Sequence, residues 1–209
     1  MTFSQPRSNT GQRRANTAFT LIELLVVVAL MLILLSLAVP AVNSVLAGVN
    51  LGRGGQQIAD QIMLGRQNAL TRNRSVEVRF IHLDKQPTPG YRALQIWMVD
   101  ETGLNRAPIS RIVMLPDGVL INSNSTYSPL LFGDGATVSG HADFPSLGSC
   151  AYTGFRFRAN GQTDIPTGSG TNTVNFITLQ GANDKDNPPR NFFAVQVNPL
   201  TGTVATFRP

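Results

Sequence analysis

The chain is poor in the residues on which metal sites and many active sites depend. It holds one cysteine, Cys150, and two histidines, His82 and His141. A single cysteine excludes an intrachain disulfide and a multi-cysteine metal cluster. Two histidines far apart, without flanking ligands, offer no His-based catalytic metal site. Charge is scarce too: 14% of the 209 residues are charged, against about 25% in an average soluble domain. Hydrophobic residues, at 42%, are ordinary, so the deficit has a local cause. The net charge of +5 comes from 17 basic and 12 acidic side chains. Arg7, Arg13 and Arg14 lie in the first 18 positions, which contain no acid, and the remainder carries 14 against 12. The basic excess thus belongs in large part to the N-terminal tail and is poor evidence for a nucleic-acid surface. No Ser/His/Asp grouping or phosphate-binding glycine motif can be assembled. Gly52-Arg53-Gly54-Gly55 is a glycine cluster that does not follow a strand. The composition argues against an enzyme, and no cofactor is expected.

What is present is one long uncharged stretch, from Leu24 to Gly52. Its first part, Phe19 to Val42, would form a helix of about 36 Å, enough for a hydrocarbon core of about 30 Å. A buried core helix is the bland alternative, but this run is apolar on every face. A cleaved secretory signal would be shorter and would end in a small-residue site, which does not occur before Pro40. A plain signal anchor fits the length and keeps Arg13 and Arg14 on the cytoplasmic side. It leaves Glu23 unexplained. An ionised carboxylate in the apolar run costs up to about 2.5–3.5 kcal/mol at the bilayer centre, so a partner for it is expected.

The segment Ala18-Phe19-Thr20-Leu21-Ile22-Glu23-Leu24-Leu25-Val26-Val27-Val28-Ala29 closely resembles the class III signal of type IV prepilins and type II secretion pseudopilins. The resemblance implies cleavage by a prepilin peptidase between Ala18 and Phe19, then methylation of the new Phe19 amine. Ala18 stands where the family normally has Gly. Glu23 falls on the family's glutamate, which is thought to neutralise the amine of a neighbouring subunit, and Pro40 on its helix-kinking proline. A proline there lacks an N–H and clashes with the preceding turn.

Beyond the apolar run, Leu51, Gly55, Ile58, Ile62, Gly65 and Ala69 form a stripe at helical spacing. Gly52, Gly54 and Gly55 each cost about 1 kcal/mol relative to Ala in a helix, so a bend or break is expected there. The helix is expected to stop near Arg72–Ser75. A period of two follows: Val76, Val78 and Phe80 alternate with Glu77, Arg79 and Ile81. Further strands are expected at 91–99, 155–158, 174–179, 192–197 and 203–207, and 111–115 with 118–121, around Pro116-Asp117, reads as two short strands or one bulged strand. Residues 122–152, rich in Ser, Asn and Gly, read as a long mobile loop. The fold class is α+β: a long N-terminal transmembrane helix packed on an antiparallel β-sheet or β-sandwich, pilin-like. The expected division is a leader peptide over 1–18, a transmembrane helix over 19–42, its continuation over 43–74, and a β-rich domain over 75–209. Residues 59–62, 66–70, 72–73, 157–161 and 195–204 resemble the GspH/FimT class of minor pseudopilins. The stretch RNRSVEVRF and the ending FAVQVNPLTGTVATFRP look like component D of the Verru_Chthon cassette, a pseudopilin-like group.

Other residues favour structural readings. Arg156 and Arg158 alternate with Phe155 and Phe157, so Phe inward and Arg outward is preferred to a nucleic-acid face. The closing segment 202–208 has one arginine, Arg208, and departs from the basic tail of FimT-like DNA-uptake pseudopilins. Asp184, Asp186 and Asn187 carry Ca²⁺-type oxygen ligands, but Lys185 and Arg190 favour a solvated loop. Cys150 is read as a free small residue, and His82 and His141 as strand-end and loop residues. No catalytic, metal or nucleic-acid residue is assigned. The resemblance implies a structural minor pseudopilin of a type II secretion or type IV pilus-like filament. Its partners would be prepilin peptidase, other pilin subunits with their assembly platform, and the inner membrane, with the N-terminus cytoplasmic and the domain periplasmic. The alternatives are a DNA-uptake minor pilin and an unprocessed, membrane-anchored envelope binding protein.

Overall fold

The computed structural model describes residues 19–85, 87–167, 175–186 and 188–209, and only the backbone of 37–43. The expected leader, with Ala18, lies outside the described residues, as do Val174, Asn187 and the side chain of Pro40. The chain divides into two units, Met1–Asn43 and Ser44–Pro209.

Helix α1 runs over Leu21–Arg72. It has no break at position 40 or at the glycines near 52–55. In its second half, the whole stripe of Leu51, Gly55, Ile58, Ile62, Gly65 and Ala69 is buried, with Gly54 and Ala59 beside it. The expected break is absent because Gly54 and Gly55 lie where neighbouring side chains press on the helix. A Cβ at Gly54 would sit 3.2 Å from Val119, and one at Gly55 would overlap the Phe193 ring. Contact with the sheet offsets the helix propensity that glycine gives up.

Two substitutions separate packing from propensity. Gly55→Ala gains helix propensity, about 1 kcal/mol, but drives a methyl into the buried Phe193. Overpacking of this kind costs about 1–3 kcal/mol. At Gly52 a Cβ would meet only the tip of Arg208, at 2.9 Å, and that flexible end can move aside. Urea unfolding of the full chain in detergent is expected to show Gly55→Ala as destabilised and Gly52→Ala as neutral or stabilised by up to about 1 kcal/mol. Equal shifts in both variants would contradict close packing as the reason for these glycines.

After α1 the described residues form ten strands in one antiparallel sheet: β1 (Val76–Leu83), β2 (Gly90–Val99), β3 (Arg106–Pro108), β4 (Val113–Met114), β5 (Val119–Ile121), β6 (Val138–Phe144), β7 (Gly148–Phe157), β8 (Phe176–Gly181), β9 (Phe192–Val197) and β10 (Val204–Phe207). The order is β10-β9-β8-β5-β2-β1-β7-β6, with β3 and β4 also pairing β2. A single sheet replaces the sandwich alternative. Residues 122–152 are corrected most. They hold a short helix, α2 (Pro129–Phe132), the whole of β6 and the start of β7. Small and polar residues gave β6 the look of a loop. Val138 and Phe144, at its two ends, are its buried anchors.

One sheet face meets α1. Ile58 and Ile62 join Val78, Phe80, Ile96, Phe155, Phe157 and Val195 in the main core. The opposite face carries a second apolar cluster of Ile81, Leu83, Ala93, Trp97, Phe144 and Cys150. Central strand β1 is therefore buried on both faces, with one residue at intermediate exposure.

Candidate functional site

Two features combine unusual exposure or burial with charge. The first is the start of α1. Thr20 accepts the Leu24 amide on its carbonyl (3.2 Å) and the Glu23 amide on its carbonyl (3.1 Å) and hydroxyl (3.3 Å). Thr followed three residues later by Glu is a capping-box spacing. Glu23 thus sits in the first turn, where the helix N-terminus favours a carboxylate. Around it the apolar side chains face outward on every side of the helix: Phe19 is 76% exposed, Leu21 81%, Leu25 60% and Leu34 67%. A contiguous apolar surface of this kind marks a membrane or protein contact. Among the described residues, however, no helix is long and apolar enough to cross a membrane. The described side chains of the expected span stop at Ser36.

The second feature lies on the sheet face away from α1. Alternation places Val76, Val78 and Phe80 against the helix and Glu77 and Arg79 on the far side, yet Glu77 is 0% exposed and Arg79 2%. Strand register sets Glu77 opposite Trp97 on β2 and Arg156 on β7. Arg79 donates to Glu77 Oε2 through Nε (2.9 Å) and Nη2 (2.5 Å). Arg106 Nε and Arg156 Nη2 each donate to Glu77 Oε1 at 2.9 Å. The Arg79 guanidinium lies between two rings, 4.2 Å from the centre of Trp97 and 4.3 Å from that of Tyr152. Cation–π contact adds to the ion pair when the cation is desolvated. Trp97 in turn donates its indole N–H to Gln95 at 3.0 Å, and Gln95 donates to the Ser110 carbonyl.

Burial pushes the Glu77 carboxyl up, but hydrogen bonds from Arg106, Arg79 and Arg156 outweigh it and hold it below its ordinary value of 4.5. Three guanidiniums thus share one carboxylate. The Nε of Arg156 is buried and has no hydrogen-bond partner among the described residues. A donor left in that state costs about 1–3 kcal/mol. This cluster was not foreseen in the sequence, where a charge alternating with valine reads as a wet face. The available signal was Glu77-x-Arg79 on one face of a strand, with a second Arg flanked by phenylalanines at 155–157.

The remaining expected sites fall as follows. Phe155 and Phe157 are in the core while Arg156 turns to Glu77 and Arg158 is exposed, so no basic–aromatic face forms. Arg208 donates to the Gly48 carbonyl at 3.1 Å, tying the chain end to α1. In the 184–190 loop, Asp184 accepts the amides of Asp186 and Arg190, and Arg190 pairs with Asp186 at 2.5 Å. Those carboxylates are occupied by the loop itself. Among the described residues no group of His, Cys, Asp and Glu could hold a metal. Cys150 is a buried free thiol. His82, next to last in β1, lies beside Asp84, and His141 lies within β6 rather than in a loop.

Comparison with known proteins bears on the first feature. The family described as "Prokaryotic N-terminal methylation motif" matches residues 13–39. No curated protein matches the sequence. Among solved structures, the minor pseudopilin EpsH from the type 2 secretion system of Vibrio cholerae is similar at 10% identity and a TM-score of 0.44. The match covers 77% of this chain and 98% of that one. At that score the likeness carries no argument beyond itself. Residues 13–39 nevertheless match the prokaryotic N-terminal methylation motif, and that segment is where the chain is similar to a known family.

Proposed function

We propose that the chain is a minor pseudopilin: a structural, non-catalytic subunit of a type II secretion or type IV pilus-like filament. The observation that carries this reading is the methylation motif over 13–39, lying on a helix start whose apolar side chains are exposed on every side. Prepilin peptidase cuts between Ala18 and Phe19 and methylates the Phe19 amine. The 19–42 run anchors the subunit in the inner membrane, with the basic tail cytoplasmic and the 75–209 domain periplasmic. Pro40 lies near the end of that run, in a helix that continues through it.

Assembly then follows from charge in lipid. Cleavage creates a positive amine at Phe19, about one helical turn from Glu23. A carboxylate and an amine from neighbouring subunits cost far less in hydrocarbon together than apart. Glu23 therefore sets the register in which a subunit enters the filament. A photo-crosslinking residue at Leu25, in cells that carry their own prepilin peptidase, tests the reading. Adducts to other pilin-type subunits are expected. Adducts to lipid alone would mean that the helix is an anchor and not an assembly element.

A further inference from the structure

We propose that Arg106 and Arg156 form a docking clamp for an acidic side chain of a partner protein, on the sheet face away from α1. The inference stands on the Glu77 cluster and does not rest on the pilin-type reading.

Both guanidiniums converge on the same carboxylate oxygen, so their bonding nitrogens lie within about 6 Å of each other. Each gives Glu77 one nitrogen and keeps about a third of its side chain exposed, 37% for Arg106 and 33% for Arg156. Arg79, by contrast, is buried and gives Glu77 two. Arg106 reaches Glu77 through Nε and not through its terminal nitrogens. The cluster keeps two positive charges more than Glu77 can balance. A guanidinium fork fits a planar carboxylate through two parallel hydrogen bonds. A second carboxylate arriving from solvent would complete the pairing that Glu77 begins from within.

The surroundings select the occupant. Glu77 above all favours the charged form of Arg106, and Asp100 adds to it. Asp100 itself is taken up by Thr102 and Asn105. Asp164 accepts the Arg156 amide, and exposed Glu101 pairs with Arg74 on the adjoining turn. Asp100 and Asp164 beside the two arginines repel a polyphosphate backbone, with its many charges, more strongly than a single carboxylate. The rim therefore favours an acidic protein segment over nucleic acid.

Trp97, the chain's one tryptophan, stacks on Arg79 and reports on the cluster through its emission. The probe is the acetylated and amidated peptide Gly-Glu-Gly-Glu-Gly, titrated into the full chain in detergent, with the Gln-for-Glu peptide as control. A saturable change with the Glu peptide is expected, weakened about tenfold by raising NaCl from low to high concentration. Arg106→Gln is expected to weaken it at least about fivefold, and Arg106→Lys to fall between, because Lys keeps the charge and loses the fork. Arg106 lies on an exposed three-residue strand, so both variants are expected to keep the wild-type circular dichroism. No saturation at millimolar Glu peptide would overturn the proposal. So would equal binding of the Gln peptide, unchanged affinity in Arg106→Gln, or tighter binding of inorganic phosphate or a single-stranded DNA oligomer.

Discussion

Glu77→Ala is expected to lose about 3–5 kcal/mol of stability, enough to leave a domain of this size near unfolding. The magnitude follows from what remains. Removing the carboxylate leaves Arg79, whose side chain is 3% exposed, as an uncompensated charge between two rings. Arg106 and Arg156 lose less, since each can turn toward water, and exposed pairs are worth about 0–1 kcal/mol. A double replacement, Glu77→Leu with Arg79→Leu, is expected to recover much of the loss, because it removes both buried charges together. Denaturant unfolding of the full chain in detergent measures both. A Glu77→Ala chain as stable as the wild type would mean that the ion pair carries no part of the fold. The same carboxyl gives a pH signature. It ionises at lower pH in the folded chain than in the unfolded one, so its contribution is complete above its ordinary value of 4.5 and fades as pH falls through the lower folded value. The wild type is therefore expected to lose stability on acidification below that range more steeply than the Glu77→Leu, Arg79→Leu chain.

Glu23→Ala is expected to abolish assembly and leave membrane insertion intact. Removing a carboxylate from an apolar run makes insertion easier, not harder. What disappears is the partner for the neighbouring Phe19 amine, and with it the register of entry. In the Leu25 crosslinking experiment, the variant should lose its adducts to other subunits and keep its place in the membrane fraction. Wild-type adducts in Glu23→Ala would remove charge pairing from the assembly mechanism.

Much of the helix was legible because helical periodicity is strong where apolar residues are large. The stripe from Leu51 to Ala69 is buried as its spacing implies, and α1 ends at Arg72, where the pattern changes to period two. The glycines near 52–55 misled because propensity is a local property, while their role is set by Phe193 and Val119, more than sixty residues away in the chain. The β6–β7 hairpin was hidden by composition: Ser, Gly, His and Ala carry little strand signal, and pairing with β1 does the work. Strand β3 escaped because three exposed residues make no pattern. The Glu77 cluster was the hardest to see. Its members are drawn from β1, β3 and β7, and nothing local says that the polar side of β1 is covered. The N-terminal motif lies at the other extreme, since its residues are contiguous and its chemistry is local.

The most direct measurement is the mass of the N-terminus of the protein isolated from membranes of cells with an active prepilin peptidase. A chain that begins at N-methylated Phe19 is the expected result, and it would place cleavage and methylation on the residues named here. A chain that retains Met1 to Ala18 in the presence of active peptidase would contradict the pilin-type assignment and leave the apolar run as an unprocessed anchor.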